Sequence, residues 1–133
     1  MIRELFGRSN LGEGALKTEG VDIVRLLVLN PSAIRRSLLF AFERLSQRPI
    51  RSIFEELGFP LCRERKCSHP EHPYEHVLPE ALTLEQVQQA SPDRFELDRA
   101  VFDVLDLNDE ERLEVYRAVA QLVKDRLVKA KSV

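Results

Sequence analysis

The stretch from Asn108 to Lys131 constrains the fold more than any other part of the chain. Asn108 is a good N-cap, and Glu111 three residues later completes a capping box, which satisfies orphan N–H groups at a helix start. Asp109, Glu110 and Glu111 suit the positive N-terminal end of such a helix, and Lys124, Arg126, Lys129 and Lys131 suit its negative C-terminal end. Leu113, Tyr116, Ala120, Val123 and Leu127 recur at helical spacing and form one apolar side about four turns long. Val115, Val119 and Leu122 add apolar surface to other sides, which suits a helix central to its own core. In 133 residues there is room for one modest core, and a helix at its centre is the preferred reading over a docking face for a partner or for the rest of a parent enzyme.

The remaining elements follow from caps and breakers. Asn30-Pro31 opens a helix whose apolar face is Ile34, Leu38, Ala41, Phe42 and Leu45. Pro49 ends it and starts a second, Ile50 to Leu57, stopped by Gly58, with Ile50, Ile53, Phe54 and Leu57 buried. Thr83 with Gln86 caps a short helix. Ser91-Pro92 starts another, with Leu97, Val101, Val104 and Leu105 as its apolar face. Residues 1–30 hold Gly7, Gly12, Gly14 and Gly20, four of the five glycines, and read as short strands joined by glycine turns. The expected fold class is mainly α, a single helical domain with a short β element near the N-terminus. Its parts are a glycine-turn region (1–30), a helical pair (31–58), a Cys/His loop (59–82) and C-terminal helices (83–133). Leu38, Phe42, Phe54, Leu97, Val101, Tyr116 and Val123 are expected to be buried.

Composition removes several function classes. Hydrophobic residues make up 44% and charged residues 32%, the profile of a folded soluble chain rather than a disordered one. No apolar run approaches the roughly 20 residues of a membrane helix, and the first residues lack the form of a secretory signal. A cytoplasmic location is expected, with no membrane partner. There is no glycine-rich phosphate loop, no nucleophile elbow and no His-Glu-x-x-His helix, so no catalytic residues are assigned. Net charge is −2, which excludes a polybasic nucleic-acid binder and leaves only a local patch for that role.

Such a patch exists. Arg35, Arg36, Arg44, Arg48 and Arg51 face one acid, Glu43, across residues 31–51. Arginines on one side of a helix can hold phosphates and set a DNA-binding register. A solvated outer helix face, or a charged surface against another domain, would have the same composition. No aromatic residues interleave with them as a base-stacking platform would require. If the patch holds DNA, replacing Arg44 and Arg48 by Ala is expected to weaken binding while leaving stability almost unchanged, since the apolar face is untouched. Lys17 could reach a phosphate near Gly12 and Gly14; an edge-strand lysine that discourages strand pairing is the simpler reading.

Asn10-Leu11-Gly12-Glu13-Gly14-Ala15-Leu16-Lys17, running into Val21-Asp22-Ile23 and the apolar stretch to Pro31, resembles the C-terminal region of N-6 adenine-specific DNA methyltransferases, including those of type IIG restriction–modification systems. Residues 93–103, 109–116 and 122–127 are similar to that family's tail as well. The resemblance spans most of the chain outside residues 59–78. It implies a non-catalytic recognition or scaffold region of a larger methyltransferase, with double-stranded DNA and the methyltransferase domain as partners. The family's Asn/Asp-Pro-Pro-aromatic motif and its S-adenosylmethionine loop are not in this sequence, so the base-flipping chemistry and the cofactor would belong to the rest of the parent enzyme. The other reading is a small helical protein–protein module, with or without a structural zinc, that has no DNA role; the acidic C-terminal part, −4 over residues 79–133, favours it.

Every Cys and His of the chain falls within fifteen residues: Cys62, Cys67, His69, His72 and His76. Cys62-x4-Cys67-x4-His72-x3-His76 offers two thiolates and two imidazoles at loop-compatible spacing, a set suited to tetrahedral structural zinc. The alternatives are a proline-rich surface loop with free thiols, or a Cys62–Cys67 disulfide, which a reducing cytoplasm disfavours. If the four are ligands, elemental analysis of protein purified without chelator will give about one zinc per chain. A metal-free folded protein with two titratable thiols rules the site out.

Overall fold

The computed structural model describes residues 8–11, 15–17, 36–60 and 74–131. The described fold is mainly helical. Two short strands, β1 (Arg8–Leu11) and β2 (Ala15–Lys17), pair antiparallel. The helices are α1 (Arg36–Ser46), α2 (Ile53–Glu56), α3 (Leu84–Ala90), α4 (Pro92–Val104) and α5 (Asp109–Lys131). Two 3₁₀ turns, Tyr74–His76 and Pro79–Ala81, lead into α3. No described helix is long and apolar enough to cross a membrane.

The boundaries follow local rules. Asn108 Oδ1 accepts from the Glu111 N–H at 3.0 Å, and Glu111 Oε2 accepts from the Asn108 N–H at 2.8 Å, so the capping box of α5 is closed in both directions. Thr83 caps α3 through the Gln86 N–H. The second helix departs from expectation. It begins at Ile53 rather than Ile50, because Ser52 and Glu55 form a reciprocal capping box there. Ile50 is left in the extended strap before that cap and is 81% exposed, not buried.

Two helices end in the same way. After α2, the Gly58 N–H reaches Glu55 O and the Phe59 N–H reaches Phe54 O; after α4, the Asp106 N–H reaches Asp103 O and the Leu107 N–H reaches Phe102 O. Both are Schellman closures, which need a left-handed residue at the turn. Gly58 has φ of 78° and Asp106 has φ of 54°. The Phe54 and Phe59 rings then meet edge to face across the first closure, 6.5 Å apart.

One core joins α2 to α5. Phe54, Leu57, Phe59, Val77, Leu82, Val87, Phe102, Tyr116, Ala120 and Val123 are buried together. The apolar side expected for α5 supplies three of them, with Leu113 and Leu127 packed at the edges. The segment carrying Val77 and Leu82 is tied down by α5: Lys124 Nζ donates to Val77 O at 3.0 Å and Arg117 Nη2 to Leu82 O at 3.1 Å. These bonds satisfy carbonyls that a buried connection would otherwise leave unpaired.

Helix α1 stands apart from that cluster and packs on α4. Ala41 is buried, while Leu38 and Leu45 are half-buried beside it. Phe42, expected in the core, is 59% exposed. It sits one residue, about 100° of rotation, away from Ala41, on a side of α1 that is left open while Ala41 is covered. Leu97 and Val101 of α4 are half-buried rather than buried, and Val104 and Leu105 are exposed at its end. Ile34 lies outside the described residues.

Gly58 meets a second demand besides its φ. A Cβ there would lie 2.9 Å from Ala90 Cβ and 3.2 Å from Gln86 Cγ, both on α3. Gly58→Ala is therefore expected to destabilise by about 1–3 kcal/mol, measured by urea denaturation. An unchanged midpoint would mean that α2 and α3 separate at little cost.

Candidate functional site: an arginine cleft between helices α1 and α4

The C-terminal end of α1, the strap 47–52 and the N-terminal end of α4 enclose an open cleft of about 670 Å³. Arg44, Arg48 and Arg51 line it, opposite Ser91 and Asp93. Three of the six sequence-predicted DNA-contacting residues thus meet at one place. Arg36 opens α1 and Lys17 ends β2. Arg35 lies outside the described residues, as do Cys62, Cys67 and His72 of the expected zinc set. His76 is described: its side chain is half exposed, with Nε2 3.7 Å from Glu75 Oε1. Among the described residues, no three His, Cys, Asp or Glu side chains gather as metal ligands.

The arginines are not a bare cationic face. Arg48 is bonded through its whole guanidinium: Nη1 and Nη2 donate to the two carboxylate oxygens of Glu56 at 2.7 and 2.8 Å, Nε and Nη2 to the two oxygens of Asp93, and Nη1 to Pro49 O. All five N–H groups are thereby engaged. Such paired, charge-assisted forks are among the stronger polar contacts a protein makes. Arg51 is on the strap, not on a helix. Its Nη2 donates to Ala90 O at 2.9 Å and to Ser91 Oγ, and its backbone N–H donates to Glu56 Oε1 at 3.1 Å. Arg44 donates from Nη1 to Glu96 Oε2 at 2.8 Å, with both side chains about half exposed. Its guanidinium also stands 6.0 Å from the centre of the Phe40 ring.

Glu56 is the centre of the network. Its side chain is 2% exposed, yet it stays ionised, with its pKa lowered to about 2. The Arg48 fork is the main cause, opposed by burial and helped by the Ser91 hydroxyl and the Arg51 N–H. Asp93 is lowered for the same first reason, the hydrogen bonds from Arg48. Glu56 in turn holds the Arg48 guanidinium well above its ordinary value. Ser91, itself buried, is the N-cap of α4 but makes no side-chain cap. Its hydroxyl serves the cluster instead, and the Asp93 carboxylate accepts the first-turn N–H of Arg94 at 2.8 Å.

A second polar cluster lies on the core side of α4. Asp98 accepts from Arg94 Nε at 2.9 Å and from the Tyr116 hydroxyl at 3.1 Å. Burial pushes both the Asp98 carboxyl and the Tyr116 phenol up. Arg94 and Tyr116 both bond Asp98, so the cluster reads as a tie between α4 and α5.

Sequence reasoning left Arg44 and Arg48 as a phosphate-holding patch, a solvated helix face or a charged surface against another domain. The structure instead turns them onto α4, where Asp93 and Glu96 meet them. Sequence reasoning also missed Glu56, Ser91, Asp93 and Glu96. The one local signal was Ser91-Pro92-Asp93 as a helix start, which says nothing about a partner 45 residues earlier. Compared with protein families, curated proteins and solved structures, the chain matches none.

The expectation that Arg48→Ala leaves stability unchanged is therefore corrected. Removing one member of a fully buried pair costs ~3–5 kcal/mol. Arg48 keeps 26% of its side chain exposed, so water softens the loss and a destabilisation of about 2 kcal/mol is expected. The pH dependence has a definite sign. Glu56 ionises more readily folded than unfolded, so its contribution is complete above its unfolded value near 4.5 and is lost as pH falls toward about 2. Asp98, shifted the other way, opposes this trend. Glu56→Gln should flatten the acid side of the stability curve, measured by denaturation between pH 5 and 2 as marked by these values. An equally steep fall in the variant would place the acid sensitivity elsewhere.

Proposed function

We propose that this chain is a non-catalytic recognition and scaffold region of an adenine-specific DNA methyltransferase, which holds DNA weakly by its backbone and packs on the catalytic domain. The family assignment rests on the resemblance of residues 10–31, 93–103, 109–116 and 122–127. The observation that supports a DNA role is the cleft, where Arg44 and Arg51 stand beside the positive end of α4 with roughly half their side chains exposed. Methyl transfer and S-adenosylmethionine belong to the parent's other domain in this reading.

Nearby carboxylates match the arginines one for one, so the cleft can add only a modest, sequence-blind attraction. A labelled duplex titrated across salt concentrations is expected to bind weakly, alike for unrelated sequences, and to dissociate steeply as salt rises. Calorimetry with S-adenosylmethionine is expected to be flat. Tight, salt-insensitive and sequence-selective binding would mean that the recognition element lies elsewhere.

A second reading is a helical protein–protein module. Leu39, Phe40 and Phe42 favour it, at 60%, 62% and 59% exposed on one helix, more apolar surface than scattered single residues leave. Absence of duplex binding at low salt, with α1 still folded, selects this reading over the first.

A further inference from the structure

We infer that Arg44, with Arg51 lining the same cleft, takes a backbone phosphate of duplex DNA in exchange for Glu96, whose carboxylate occupies Arg44 in the free protein. This rests on the DNA-holding reading above and names the residues and the control of that site. Arg48 has all five N–H groups bonded, two of its partners being the carboxylates that fix α1 in place, and it has nothing to offer a ligand. Arg51 has both Nη2 donors bonded, but its Nη1 has no partner among the described residues, and the side chain is 43% exposed. Arg44 uses one Nη1 bond, leaving its Nε and Nη2 without a partner among the described residues. Guanidinium donors of this kind match phosphate oxygens in twos.

The two carboxylates differ in the same way. Asp93 is 14% exposed and shares Arg48 with buried Glu56, so displacing it would disturb the attachment of α1. Glu96 is 49% exposed and, among the described residues, bonds Arg44 alone. An exposed pair is weak, because water solvates both ions nearly as well apart as together. Exchange of carboxylate for phosphate at Arg44 therefore costs little, while Glu96 keeps the free cleft neutral.

The test is a titration of a labelled duplex at low salt with the full chain and four variants. Glu96→Gln is expected to bind about two- to fivefold tighter than the parent chain, the range set by the strength of an exposed pair. Glu110→Gln removes the same charge from the first turn of α5, is exposed, and is expected to change binding by much less. Arg44→Ala weakens binding, and Arg44→Ala combined with Glu96→Gln loses the gain. A Glu96→Gln chain that binds no tighter than Glu110→Gln, or a gain that survives Arg44→Ala, overturns the exchange while the DNA-holding reading stands. Absence of binding by every chain overturns both. Thermal melts check that Arg44→Ala and Glu96→Gln remain folded, as their exposure predicts.

Discussion

The Arg48 guanidinium, gripped by Glu56 on one side and Asp93 on the other, is the contact on which the arrangement of the first helix depends. Helix α1 contributes Ala41 to burial but no member to the main core. Its apolar contact with α4 is a narrow strip of Leu38, Ala41 and Leu45. A strip that small holds a helix against another element without setting its angle. The two carboxylates, one from α2 and one from α4, supply the direction that apolar contact lacks. A buried ion pair of this sort is a weak source of net stability, because desolvation offsets most of the attraction. It is strongly directional, and here it ties α2 and α4 to the strap that leaves α1.

That arrangement decides what the arginines are for. Arg44, Arg48 and Arg51 look equivalent in composition, and all three line one cleft. Their surroundings separate them. Arg48 is enclosed by its partners, Arg51 supports the junction between α3 and α4 through Ala90 O and Ser91 Oγ, and Arg44 stands at the rim, paired with a half-exposed carboxylate. A count of positive charges along α1 overstates the field at the surface, since opposite charges from distant parts of the chain cancel it at short range. Only groups with unbonded donors facing water can recruit an anion at modest cost.

The core is less dependent on polar contacts. It gathers side chains from α2, the 74–82 segment, α3, α4 and α5 around the middle of the longest helix. Two Schellman turns, at Gly58 and Asp106, aim the chain back into it after α2 and α4. Arg117 and Lys124 hold the irregular segment by its carbonyls, which lets residues without regular structure deliver Val77 and Leu82 to full burial. The exposed Leu39, Phe40 and Phe42 mark where apolar surface exceeds what this core covers.

Interactions that close within three or four residues were for the most part legible in the sequence, the Ser52–Glu55 box that starts α2 being the exception. The capping box at Asn108–Glu111, the Thr83 cap, the Gly58 stop and the apolar side of α5 all depend on spacing along one helix, which the order of residues determines directly. The helical class follows from them. What only the tertiary structure decided are pairings across long separations: Arg48 with Asp93, 45 residues apart, and Arg44 with Glu96, 52 apart. The same holds for Phe42, whose exposure depends on which side of α1 meets its neighbour, and the side that docks is the one carrying Ala41. A sequence shows which side a residue takes on its helix. Which sides meet, and hence whether an arginine faces water or a carboxylate, depends on how helices dock, and docking is set by the sum of packing and ion pairing over the whole fold.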